Sequence, residues 1–121
     1  MTATAKGEWP LIVVNAKDGE ISVTGHAGYA EAGKDIVCAA VSAITQNFIN
    51  SVEQFTTDKL KCVISAGNVV IQYRNLSEKS QTLLDSFFIG IRSIADGYPE
   101  HVKIVQACNT LKGKDSKKQN F

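Results

Sequence analysis

No apolar run in this 121-residue chain is long enough to cross a bilayer. The opening decapeptide MTATAKGEWP lacks the apolar centre of a secretion signal, so export by that route is not expected and the cytoplasm is the expected location. Charge of one sign is also missing: 13 Lys and Arg stand against 12 Asp and Glu, for a formal charge of +1. That balance supplies no basic stripe of the kind tight nucleic-acid binding rests on. Lys59, Lys61, Lys103 and the tail lysines are scattered among acids, with no aromatic residues interleaved as a stacking platform. Three cysteines, Cys38, Cys62 and Cys108, form an odd set without framework spacing, so reduced thiols are the expectation. His26, Cys38, Cys62, His101 and Cys108 are enough zinc ligands in number. No CxxC or HxxxH pair exists to nucleate a site, and no metal or cofactor is expected.

What is present is an orderly switching of apolar period, within a length that suits a single domain (1–121). WPLIVVNA, from Trp9 to Ala16, is a β-branched run, and Asp18-Gly19 after it is a hairpin-turn pair. EISVTGH then alternates, Ile21 and Val23 on one face against Ser22, Thr24 and His26 on the other. From Ile36 the period lengthens, and Val37, Val41, Ile44, Phe48, Val52 and Phe55 draw one helical stripe. KLKCVISA and VVIQYR flank Gly67-Asn68 as a second hairpin. A second helix carries Leu83, Leu84, Phe87, Ile91 and Ile94, closed by Gly97 and Pro99. HVKIVQA reads as a final strand. The expected fold is α+β in two layers: an antiparallel sheet of four to five strands with two helices on one face, ordered ββαββα and a last strand. The ordered core is expected over about residues 9–107, with loose polar ends.

The stretch from Gly25 to Ala43, GHAGYAEAGKDIVCAAVSA, holds a histidine and a cysteine twelve positions apart across a glycine-bearing loop. Asp35 stands where an N-cap belongs, which puts Cys38 in the first turn of the helix. Unpaired N–H groups and the positive end of the helix dipole favour a thiolate there. His26 lies at the end of the preceding strand, within reach to take the thiol proton.

The same residues have a plainer reading. Cysteine is among the most buried residue types, and Cys38 sits at the edge of an apolar stripe. His26 alternates onto a polar face, Asp35 serves as a cap, and Gly25, Gly28 and Gly33 satisfy turns. Ser42, one turn beyond Cys38, either donates a hydrogen bond to a site or fills space. A bare histidine and cysteine at this separation favours packing over chemistry. His101, with no motif around it, is a surface residue on this reading, and Cys62 and Cys108 are structural.

The full string is more specific than the pair. Gly25-His26-Ala27, the glycine-containing loop, Asp35-Ile36-Val37-Cys38-Ala39 and Ser42 together resemble the signature of the ribosomal-processing cysteine protease (Prp) family. The order of elements is similar to that family's from about Leu11 to Val105. The resemblance implies a cytoplasmic endopeptidase that removes a short N-terminal extension from a large-subunit ribosomal protein, cutting after an aromatic residue. It implies Cys38 as nucleophile and His26 as base, with Gly25, Ala27, Gly28, Asp35, Ala39 and Ser42 supporting the site or binding substrate. A homodimer is implied as well. The polar segment before Trp9 departs from the family's usual start near the first strand.

Acyl transfer by this pair needs donors for the oxyanion, and the N–H groups of Cys38 and Ala39 are the expected ones. Asp35 or a backbone carbonyl would orient the imidazole. The loop from Ala27 to Lys34 is expected to act as a lid over bound peptide. The rival expectation is a non-catalytic ribosome- or RNA-associated binding module on an open sheet face.

Overall fold

The computed structural model describes residues 11–25, 35–65 and 67–106. His26, Ala27 and Gly28, the expected lid from Ala27 to Lys34, Trp9, Cys108 and both chain ends lie outside the described residues.

Strands β1 (Ile12–Lys17) and β2 (Glu20–Thr24) form the first hairpin. Lys17 pairs with Glu20, so the loop is the two residues Asp18-Gly19, and Gly19 takes the positive φ of 82° that such a turn requires. Helix α1 (Ile36–Phe55) follows, then β3 (Lys61–Ser65), β4 (Asn68–Gln72), helix α2 (Glu78–Gly97) and β5 (Val102–Gln106). The strand order across the sheet is β3-β4-β2-β1-β5.

Four strands pair antiparallel, as two hairpins dictate. The fifth departs from the all-antiparallel expectation: β5 lies parallel to β1, which makes the sheet mixed. The reason is topological. The chain leaves β4, crosses the sheet face as α2, and returns to the far edge beside β1, a crossover that alternation within a strand does not encode.

One row of side chains on the helix-facing side runs through Ile104, Val14, Val23, Val69 and Ile64, one from each strand. The neighbouring row contains Ala16, Ile21, Ile71 and Cys62. Val14, Ala16, Ile21 and Ile71 are buried in one cluster with Val37, Val41, Phe48 and Val52 of α1 and Leu84, Phe87, Phe88 and Ile91 of α2. Both helices therefore cover the same face, while Asn15, Lys17, Gln72 and Lys103 are exposed. The helices touch through Phe48 and Phe87, whose ring centroids are 5.4 Å apart. They also meet at Gly90, where an added Cβ would lie 2.9 Å from Ile44 Cδ1.

The stripe on α1 is not the expected one throughout. Phe55 is 61% exposed, because it is the last residue of α1, which Thr56 caps with extended backbone. Thr45 is buried in the stripe instead, its hydroxyl donating to the Val41 carbonyl at 2.7 Å. The entry to α2 is fixed by Asp58, whose carboxylate accepts from the Ser77 N–H, the Ser77 hydroxyl and the buried Ser80 hydroxyl. These bonds hold the Asp58 carboxyl below the usual carboxylate range, the Ser77 hydroxyl contributing most.

Candidate active site

Asp35 is the N-cap of α1, with extended backbone (φ −81°, ψ 102°). Its Oδ1 accepts from the N–H of Val37 at 3.0 Å and of Cys38 at 2.9 Å. The Ala39 N–H donates to the Asp35 carbonyl at 3.1 Å, the first bond of the helix proper. Cys38 is thus fixed in the first turn, as the cap position in the sequence requires. The expected oxyanion donors need correction: the N–H groups of Cys38 and Ala39 already donate to Asp35, one to its side chain and one to its backbone.

On the sheet side, Gly25 follows directly after β2. Its N–H donates to the Gly67 carbonyl at 2.9 Å, which extends the β2–β4 pairing by one bond. Gly25 holds φ at 98°, and a Cβ there would lie 2.2 Å from the Leu11 carbonyl oxygen. The position therefore excludes every other residue on two counts, left-handed backbone and close approach of β1.

Between α1 and the outer half of the sheet lies a cavity of about 390 Å³. One wall is a flank of α1 from Cys38 through Ser42 and Gln46 to Ile49. The facing wall is Ile12, Val23, Gly25, Ile64, Gly67, Asn68 and Val69. The space exists because Gly25 and Gly67 contribute no side chains beside Ile12, and α1 leaves the β3 edge uncovered. Among the described residues, none of those lining it is charged. The Asn68 Oδ1 is buried and has no hydrogen-bond partner among the described residues.

The structure brings together Cys38, Ser42 and Gly25 at this cavity, with Asp35 and Ala39 shaping the helix start behind it. Sequence reasoning missed the walls. Val23, Val69 and Ile64 look like ordinary strand residues until the register aligns them in one row. The second described cysteine, Cys62, is half-buried against the core. Burial pushes its thiol pKa up, and the Glu53 carboxylate adds to the rise. His101 is not among the residues lining this cavity; its carbonyl accepts from the N–H of Ile12, a lining residue, where β5 joins β1.

The family model for cysteine protease Prp matches residues 12–103. The ribosomal processing cysteine protease Prp of Mycoplasma genitalium is 28% identical over 96 residues, covering 78% of this chain and 94% of that protein. The protein of the same name from Staphylococcus aureus is 24% identical over 88 residues, covering 70% and 83%. Its crystal structure with a covalently linked product peptide superposes with a TM-score of 0.77 at 22% identity, over 79% of this chain and 99% of that one. A Streptococcus mutans crystal structure is 32% identical, with a TM-score of 0.61 over 84% and 98%. The matched span begins at the first residue of β1 and ends inside β5, and by that match the chain belongs to the cysteine protease Prp family.

Proposed function

We propose that this protease removes a short N-terminal extension from a large-subunit ribosomal protein, with Cys38 as nucleophile and His26 as general base. The observation that carries the reading is a shared cavity. Cys38 lines it from the first turn of α1, and Gly25, covalently joined to His26, lines it from the end of β2. The relatives named as ribosomal processing proteases, and the S. aureus structures holding a substrate peptide and a product peptide, support the substrate class.

His26 takes the Cys38 proton, and the thiolate attacks the scissile carbonyl to give a tetrahedral oxyanion. Collapse breaks the C–N bond, the imidazolium protonates the leaving amine, and a thioester remains on Cys38. Water, deprotonated by His26, then releases the acid and restores the thiol. With the Cys38 and Ala39 N–H groups engaged by Asp35, the Ser42 hydroxyl one turn on and the Gln46 amide beyond it are the side-chain donors this face of α1 offers the oxyanion. Asp35 acts through the helix start it caps, and Ala27 and Gly28 follow the base directly in sequence.

A ribosomal-protein substrate supports a cytoplasmic location, where ribosomal proteins are made. A homodimer fits the open edges of β3 and β5, where Val63 and Val105 are exposed. The test is incubation with a peptide spanning a ribosomal-protein leader, read by mass. Wild type cuts once within the leader, and Cys38→Ala and His26→Ala do not. An uncut peptide, or turnover that survives either substitution, overturns the reading. Light scattering at micromolar concentration checks the dimer.

A further inference from the structure

Cys38, Ser42 and Gln46 follow one another at intervals of four residues on α1, so they form one straight row along the flank that walls the cavity. The stripe beside it, Val37, Val41, Phe48 and Val52, belongs to the core. Thr45 lines the cavity too, but its hydroxyl donates to the Val41 carbonyl. Gln46 differs: it is exposed, and its carboxamide has no hydrogen-bond partner among the described residues. Water serves such a group only while the cavity is open. A peptide that fills the cavity displaces that water, and the carboxamide then needs a partner on the peptide. Every peptide carries one. In an extended chain the N–H and C=O of one residue point to the same side, where a carboxamide meets both: Oε1 accepts from the N–H and Nε2 donates to the C=O.

We propose that Gln46 is a substrate-positioning residue of the protease, its carboxamide pairing with the main-chain N–H and C=O of one leader residue away from the scissile bond. This rests on the peptidase reading above and adds to it a main-chain anchor. The helix sets the distance. Two turns place Gln46 about 12 Å beyond Cys38 along α1. Its side chain leans back over the preceding turn, which leaves roughly 7–10 Å, or about two to three residues of extended chain. Of the two side-chain donors on this flank, Ser42 is nearer the reacting carbonyl by a full turn, and Gln46 is left to the peptide beyond it. A main-chain anchor holds the leader in register whatever side chain stands at that position, so its effect falls on binding and not on the bond-breaking step.

The experiment uses the full chain and a leader peptide in which each main-chain N–H within about four residues of the cut, the scissile one excepted, is replaced in turn by an ester oxygen. Wild type is expected to lose about tenfold in kcat/KM on the ester that removes the N–H facing Gln46. Gln46→Ala is expected to lose about as much on the parent peptide, chiefly through a higher KM. In that variant the same ester should cost no more than about twofold further, while every other ester keeps its wild-type penalty. Wild-type kcat/KM in Gln46→Ala overturns the proposal, and so does an ester scan identical in the two proteins. A loss confined to kcat, with no ester relieved, also overturns it and assigns the carboxamide to the oxyanion. Each of these results leaves the peptidase reading intact. If wild type cuts no leader peptide, the peptidase reading itself has failed.

Discussion

The Cys38 N–H donates to Asp35 Oδ1 at 2.9 Å, so the residue that carries the thiol is also tied into the cap of its own helix. The same oxygen takes the Val37 N–H. Asp35→Ala removes both bonds and should cost about 1 kcal/mol of stability. Asp35→Asn keeps a side-chain acceptor and should recover most of that stability. If positioning is the main task of Asp35, peptide cleavage follows the same order: low in the alanine variant and largely restored in the asparagine variant. Chemical denaturation and turnover measured on both proteins check the two halves separately.

Gly25→Ala meets two obstacles, a φ of 98° and a Cβ 2.2 Å from the Leu11 carbonyl oxygen. Relief requires β1 and β2 to part at the end nearest the cavity. The variant should lose on the order of 1–3 kcal/mol and nearly all cleavage, because the same shift displaces the residue that follows. Equal stability to wild type in urea unfolding would contradict the close approach.

Thiol reactivity separates the two described cysteines. Burial and the Glu53 carboxylate raise the pKa of Cys62, so its thiolate fraction near pH 7 is depressed. In a Cys108→Ser background, iodoacetamide should alkylate Cys38 well before Cys62, as read by peptide mass. Glu53→Gln should quicken Cys62 modestly and leave Cys38 unchanged. Equal rates at both thiols would remove the argument for an activated nucleophile.

Asp58 gives a stability signature in acid. Its folded-state pKa is lowered by the Ser77 and Ser80 hydroxyls and the Ser77 N–H, so its contribution is present above the unfolded carboxyl value near 4 and is lost as pH falls through the lowered folded value. Asp58→Asn should melt several degrees below wild type at pH 7. The gap should close progressively below pH 4. A gap independent of pH would mean that shape, not charge, holds the entry to α2.

Much of this architecture is legible in the chain because local rules and tertiary needs agree. Val37, Val41, Phe48 and Val52 recur at helical spacing and are all buried, and Asp35 caps α1 where a cap residue precedes an apolar stripe. Phe55 continues the period but lies past the end of the layer, so periodicity alone overextends the buried face. The parallel placement of β5 is set by the crossover of α2, which no within-strand pattern records. At the site, Cys38 is marked by its first-turn position, whereas the cavity walls arise from register across β2, β4 and β3. The engagement of the Cys38 and Ala39 N–H groups follows from the same cap, since an N-cap side chain takes the N–H of the third helical residue and its carbonyl takes the first bond of the helix.

The parallel seam between β1 and β5 has a consequence for the birth of the enzyme. Ile12 lines the cavity and stands in the first strand, and its N–H is held by the His101 carbonyl from the far end of the fold. On a ribosome, β1 emerges early but remains an unfinished edge until Val102–Gln106 has been made and released from the exit tunnel. Joining so distant a pair carries a loop-closure cost that the neighbouring hairpins do not. The Ile12 part of the cavity wall is thus tied to the last described strand to be made, whereas Val23, Ile64 and Val69 stand on strands synthesised before it.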